Sequence, residues 1–217
     1  MAPSAILALM RLPAGDQQLV QIVDAAFADA VLRAGDFLAC CIGCTQCCHG
    51  AFAINALDAA RLRAGMAALR AKAHAAAQAV EERARAWVGK YGSDFPGDAA
   101  SGLLGTSDAD SARFEEFAND APCPALDLAT GRCDVYAWRP MTCRVFGPPI
   151  RMARPDAVGM VDVDAAEGLG HCELCFSGAT HGEVAAHEMP IPHELEARLV
   201  AEIGSIGETV VAFALLR

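Results

Sequence analysis

The sequence has little positive charge: 17 Lys and Arg stand against 27 Asp and Glu, a formal net charge of −10. Nucleic acid and anionic membrane surfaces would repel such a chain, so neither is expected as a partner. Aromatic residues make up only 6% of the 217 positions, and much of the 54% hydrophobic content is alanine, which favours closely packed helices over a bulky β core. No basic residue precedes the N-terminal apolar run of MAPSAILALMRLPAG, and Arg11 interrupts it, so a secretory signal is not expected. The apolar tail TVVAFALLR is too short for a membrane span and is expected to dock on the core. Phosphate-binding glycine loops are also missing, since Gly168-x-Gly170 lacks a third glycine and a βαβ context. There is no internal repeat. These absences place the chain in the cytoplasm, where thiols stay reduced.

What remains is a mainly α (α+β) chain, expected as a single domain over residues 1–217, with helices, a small β-hairpin and irregular loops. Leu19, Val20, Val23, Phe27 and Val31 recur at helical spacing over residues 16–34, with Gly35 as the stop. Asn55 reads as an N-cap with Asp58 as its capping-box acid. A stripe of Leu62, Met66, Leu69, Ala73, Ala76, Val80, Ala84 and Trp87 predicts one long helix ending near 89–92. Residues 92–122 read as a mostly irregular connection with one short helix around 112–118. PALDLATGRCDVY predicts two short strands around a turn at 129–131, and RPMTCRVF a brief helix opened by Pro140. A strand is expected within 158–163, and one broken helix or two short ones after His193.

Against this background, CCIGCTQCCHG at 40–50 puts five of the ten cysteines into nine positions. Cys41, Cys44, Cys47 and Cys48 form C-x2-C-x2-C-C. Thiolates three residues apart on a turning loop converge on one centre, and soft thiolate sets select zinc or an iron–sulfur cluster. Cys123, Cys133 and Cys143 follow at intervals of ten, and Cys172-x2-Cys175 repeats the two-residue gap. Disulfides fit poorly with a reducing compartment and a chain long enough for its own core, and adjacent cysteines cannot bridge without strain. Buried free thiols suit Cys40, which stands outside the spacing, but not five cysteines in nine positions. A lone nucleophile has no orienting acid, although His49 adjoins Cys48. Metal ligation is the reading that accounts for the pattern.

The run CIGCTQCC, followed by CPALDLATGRCDVYAWRPMTCRVF, resembles the YkgJ-type CxxCxxCC family, held to chelate zinc or iron and related to the flagellin lysine N-methylases. The shared pattern is C-x2-C-x2-C-C, then CP-x-L, then G-x-C-x-x-Y-x-x-RP-x-x-CR-x-F. It falls here on Cys41, Cys44, Cys47 and Cys48; on Cys123, Pro124 and Leu126; and on Gly131, Cys133, Tyr136, Arg139, Pro140, Cys143, Arg144 and Phe146. The two blocks, 37–50 and 123–146, lie within residues 37–150, and the late CxxC at 172–175 stands outside them. The resemblance implies chelation and only weakly implies a reaction, since the flagellin methylases are much longer chains.

Arg139 and Arg144 read either as partners that neutralise a thiolate-rich centre or as salt bridges that fix the loop. Tyr136 reads as a packed aromatic. Three closely spaced thiolates plus a remote fourth favour an iron–sulfur cluster, such as a 4Fe–4S cubane, while the pairs Cys41/Cys44 and Cys172/Cys175 fit zinc as two knuckles. One centre or two is left open. Three roles follow: a metal or iron–sulfur protein in electron transfer or metal handling with a protein partner, a metal-dependent protein-modifying enzyme, or a zinc-stapled interaction module. No catalytic residue and no substrate pocket can be named. His181-x-Glu183 before no P-C-x-x-C is not a deaminase site, and the histidines of HEMPIPHE are too far apart for H-E-x-x-H.

Overall fold

The structure is a computed structural model that describes residues 11–151, 162–164, 168–204 and 207–217. Among these residues the architecture is mainly α, with eight α-helices and small antiparallel sheets. The chain divides into two compact units. The first holds Ile42–Pro140 and Val200–Arg217; the second holds Ala14–Cys41 and Met141–Leu199.

In the second unit, α1 (Asp16–Ala34) buries Leu19, Val23, Ala30 and Ala34 and ends at Gly35, whose φ of 51° suits a residue without a Cβ. It packs on α5 (Met141–Val145), the helix expected after Pro140. Three strands form a sheet in the order β6 (Ile150–Arg151), β8 (Leu169–His171), β7 (Asp162–Asp164). The part of the expected 158–163 strand before residue 162 lies outside the described residues. Helix α6 (His181–Ala186) opens with a full capping box: the Glu183 N–H donates to the Thr180 hydroxyl and the Thr180 N–H to the Glu183 carboxylate. Phe37 stacks on Phe176 at 5.3 Å over this unit's small core, to which Cys172 and Cys175 belong.

In the first unit, α2 (Ala56–Lys72) and α3 (His74–Tyr91) form a helical hairpin on which α8 (Val211–Leu215) packs. Leu62, Met66, Ala77, Val80, Ala84 and Leu215 share one core, where alanines let the helices approach closely. The single long helix expected over this stretch is therefore two. It breaks at Ala73, at φ −148° and ψ 74°, although no glycine or proline marks the spot. The fold-back sets the apolar faces of both halves against each other. It also shifts the phase of the stripe, so that Ala77 is buried while Ala73 is exposed. Tertiary packing has overridden a continuous helical periodicity.

Asn55 is the N-cap that the sequence predicts. Its side chain accepts from the N–H groups of Leu57 and Asp58, and the Asp58 carboxylate pairs with the buried guanidinium of Arg61. The stretch 92–122 also differs from its expected form. It contains a hairpin of β2 (Gly97–Asp98) and β3 (Leu103–Leu104), and its helix is α4 (Asp108–Glu115), capped by Ser107. Its aromatics explain why: Phe95, Phe114 and Phe117 join Trp87 and Phe213 in a second cluster, with Phe95 and Phe213 centroids 4.8 Å apart. The short strand β1 (Ala53–Ile54) pairs with β9 (Thr209–Val210). The expected hairpin around 129–131 is present as β4 (Leu126–Asp127) and β5 (Arg132–Cys133). The last segment forms two helices, α7 (His193–Ile203) and α8. No helix among the described residues is long and apolar enough to cross a membrane.

Trp138 presses onto α2 at Gly65, where an added Cβ would lie 2.6 Å from the indole Cβ and Cγ. Gly65→Ala is expected to lower stability by about 1–3 kcal/mol through overpacking. Gly89→Ala, exposed in α3 with open space around it, is expected to raise stability by about 0.5–1 kcal/mol. Denaturant midpoints of the two variants check the pair.

Candidate metal centre

All ten cysteines are free thiols, so the structure uses none as a disulfide staple. Each unit gathers its own set.

In the first unit, Gly43 (φ 93°) and Gly50 (φ 86°) bracket a tight loop in which residues 46–48 form one 3-10 turn. A side chain at Gly50 would meet the Asn119 carbonyl at 3.0 Å, so the chain there needs glycine for space as well as for φ. The loop is stitched to the segment before the hairpin. The Cys123 N–H donates to the Cys48 carbonyl at 2.7 Å, the Gly50 N–H donates to the Ala121 carbonyl at 2.9 Å, and His49 bridges Pro122. Cys48 and Cys123, remote in sequence, become backbone neighbours. The hairpin that follows brings Cys133 to the same place. Its turn is fixed by Asp127, whose carboxylate accepts from the Ala129 N–H at 3.0 Å and the Thr130 hydroxyl at 2.7 Å. Arg83, from α3, clamps both arms by donating to the Pro124 carbonyl and the Asp134 carboxylate.

The electrostatics of these thiols divide sharply. Cys47 lies 3.9 Å from Cys48, and the contact with that thiol, aided by a backbone donor and the Arg139 cation, outweighs burial and lowers its pKa to about 7. Cys123 is pushed up to about 12 by desolvation, against backbone donation from Ala125 and Leu126. Cys133 is raised by desolvation as well, although the Val135 N–H and Arg139 oppose the shift. Backbone N–H groups aimed at sulfur favour the thiolate, and a cation bound at the sulfurs would supply what desolvation withholds. Arg139 also lies 4.0 Å over the exposed Tyr136 ring, so Tyr136 serves as a platform for this guanidinium. Cys44 belongs to the same loop.

In the second unit, Cys40 and Cys175 stand 4.0 Å apart. The Cys40 thiol, together with the Ala39 and Cys40 N–H groups and Cys172, lowers the Cys175 pKa to about 6 against the effect of burial. Cys40 thus lies with the late C-x-x-C pair, whereas its position outside the C-x2-C spacing suggested a plain core residue. Its adjacency to Cys41 carried no signal of this, because only the packing of α1 and the 172–176 turn brings it there. Cys41 is exposed in this unit, and Cys143 is half-buried on α5. Arg144, the residue after Cys143, is buried, and its Nη1 donates to both carboxylate oxygens of Asp24 of α1 at 2.8 and 2.9 Å. The salt-bridge reading of this arginine describes where its guanidinium sits.

The donor chemistry suits a thiophilic cation: every candidate ligand is sulfur, backed by backbone N–H groups and, in the first unit, by Arg139. A single tetrahedral ion with metal–sulfur bonds of about 2.3 Å spaces its sulfurs about 3.8 Å apart. The Cys47–Cys48 and Cys40–Cys175 separations match that edge. Among the described residues, no group of three or more His, Cys, Asp or Glu side chains is closed around a single point. The sites are pairs with further cysteines beside them.

A mainly helical chain whose loops collect thiols in this way is a metal-binding protein in its class. Comparison with protein families gives the more particular statement: residues 40–154 match the CxxCxxCC family, described as a "Putative zinc- or iron-chelating domain", and the chain belongs to it. Neither the curated proteins nor the solved structures contain a significant match to the chain.

Asp127 is held below the usual carboxylate range, chiefly by the Thr130 hydroxyl and then by the Ala129 N–H. A depressed carboxylate contributes stability above its unfolded pKa and loses it as pH falls through the folded value, so the turn is expected to loosen only below about pH 4. Amide exchange at Ala129 and Gly131 checks this: the wild type should be protected at neutral pH and open in acid, and Asp127→Ala should be open at both.

Proposed function

We propose that the protein holds a single zinc or iron ion in its first unit through Cys47, Cys48, Cys123 and Cys133, with Cys44 beside them. The observation that carries this reading is the stitch between the Cys48 carbonyl and the Cys123 N–H, which sets two remote cysteine segments side by side. Cys40, Cys172 and Cys175 form a second thiol set in the other unit, where Cys41 and Cys143 also lie. When bound, the ion would neutralise the clustered thiolates and cross-link loop to hairpin. This chain's own part is to aim backbone N–H groups at the sulfurs and to set the Arg139 cation beside Cys47 and Cys133. The role that suits such a centre is metal handling or electron transfer with a protein partner in a reducing compartment.

A second reading, a 4Fe–4S cluster, is favoured by the C-x2-C-x2-C run at Cys41, Cys44 and Cys47. Each cysteine of a cubane holds a different iron, so its sulfurs stand farther apart than the 3.9 and 4.0 Å pairs here. That spacing supports the single-ion reading.

Anaerobic purification with metal analysis and a visible spectrum separates the two. The single-ion reading expects metal without sulfide; a brown protein with iron and sulfide in equal amounts overturns it in favour of the cluster. Cys123→Ser and Cys133→Ser are each expected to lose the metal of the first unit. Saturation at about 100 times the Kd stabilises by about 2.7 kcal/mol. Stripping the metal should therefore lower Tm by about 5–10 °C. Full metal content in both variants would sink the assignment. Because metal must displace the protons of thiols such as Cys123, the apparent affinity is expected to rise with pH, by up to about tenfold per unit for each proton released. Competition with a chromophoric chelator across neutral pH measures the slope.

A further inference from the structure

Four guanidinium groups converge on a cleft far from any cysteine in sequence, in a chain that is acidic overall. Arg63 and Arg70 come from α2, Arg85 from α3, and Arg217 follows α8; the cleft has a volume of about 320 Å³. That is the lower end of the range for small-molecule sites, about 300–1,000 Å³. Met66, Leu215 and Leu216 give it an apolar floor. The side-chain carboxylate in the lining is that of Glu81, which accepts from Arg70 and, at 2.7 Å, from Arg85. One acid therefore orients two of the four cations, and the side chains of the lining carry a net charge of +3 (four arginines less one glutamate).

The other two cations have no side-chain carboxylate partner in the lining, although Asp98, outside it, attracts Arg217. Arg217 donates to the Ala100 carbonyl at 3.0 Å and lies over the Phe213 ring. Arg63 is partly buried, and its Nη2 is enclosed with no hydrogen-bond partner among the described residues. Burial and the nearby Arg217 cation both disfavour its charge. An enclosed guanidinium nitrogen without an acceptor is costly, and oxyanion binding reduces that cost by supplying acceptors in the planar fork geometry arginine prefers.

We propose that this cleft binds a small phosphate-bearing molecule, with its phosphate among Arg63, Arg85 and Arg217 and its apolar part against Met66, Leu215 and Leu216. The multiple charge of the lining selects phosphate over a singly charged carboxylate. The inference does not depend on which metal the cysteines hold.

The test is titration calorimetry of the full chain, as purified with its metal, using phenyl phosphate and inorganic phosphate at low and high salt, with benzoate as the carboxylate control. Phenyl phosphate is expected to bind more tightly than either inorganic phosphate or benzoate, and to weaken with salt. Arg63→Gln is expected to weaken it by about tenfold or more. Arg85→Gln, at the exposed rim, should cost a smaller factor without risk to folding. Absence of phosphate binding, binding unchanged by both substitutions, or benzoate binding as tightly as phenyl phosphate each overturns the proposal.

Discussion

The cysteine architecture of the first unit depends on one backbone hydrogen bond, from the Cys123 N–H to the Cys48 carbonyl. A thiol can be placed by its own residue only to within the reach of one rotamer, but two chain segments that share a ladder bond bring both their side chains to one neighbourhood. The bonds around it extend the effect. His49 bridges Pro122, Gly50 donates to Ala121, and Leu126 donates back to Cys123, so the loop and the hairpin act as a single rigid piece. Arg83 ties that piece to α3, and through α3 to the alanine-rich core where α2 and α8 pack. The helices contribute no thiol here; they hold the loops still.

That rigidity explains the unequal thiols. Cys123 is desolvated where the stitched segments meet, so its proton is held firmly. Cys47, half-buried beside Cys48 and near Arg139, gives up its proton near neutrality. In the proposed centre, the thiol already ionised would meet an incoming ion first, and the others would exchange their protons for it. In the second unit, Cys175 is likewise the readily ionised thiol, beside Cys40 and Cys172.

The parts legible in the sequence were those set by local rules. The helix over residues 16–34 with its glycine stop, the 126–133 hairpin and the paired final helices all follow from spacing and turn chemistry. The cysteine run and its downstream partners were visible for the same reason, as spacing. What spacing could not give was decided by packing between remote residues. Ala73 breaks a helix because Leu62 and Met66 find Ala77 and Val80, not because of anything in its own neighbours. Cys40 joins Cys175 only once α1 delivers it there. The arginine-lined cleft left no motif at all, since its cations come from three separate helical segments.

The close approach of Trp138 to Gly65 reaches beyond the helix hairpin. Trp138 immediately precedes Arg139, so the fit of an indole against a bare helix backbone also sets the starting point of the guanidinium that faces the thiols. A larger residue at 65 therefore calls for a smaller one at 138, and a change at either would move the segment that carries the arginine.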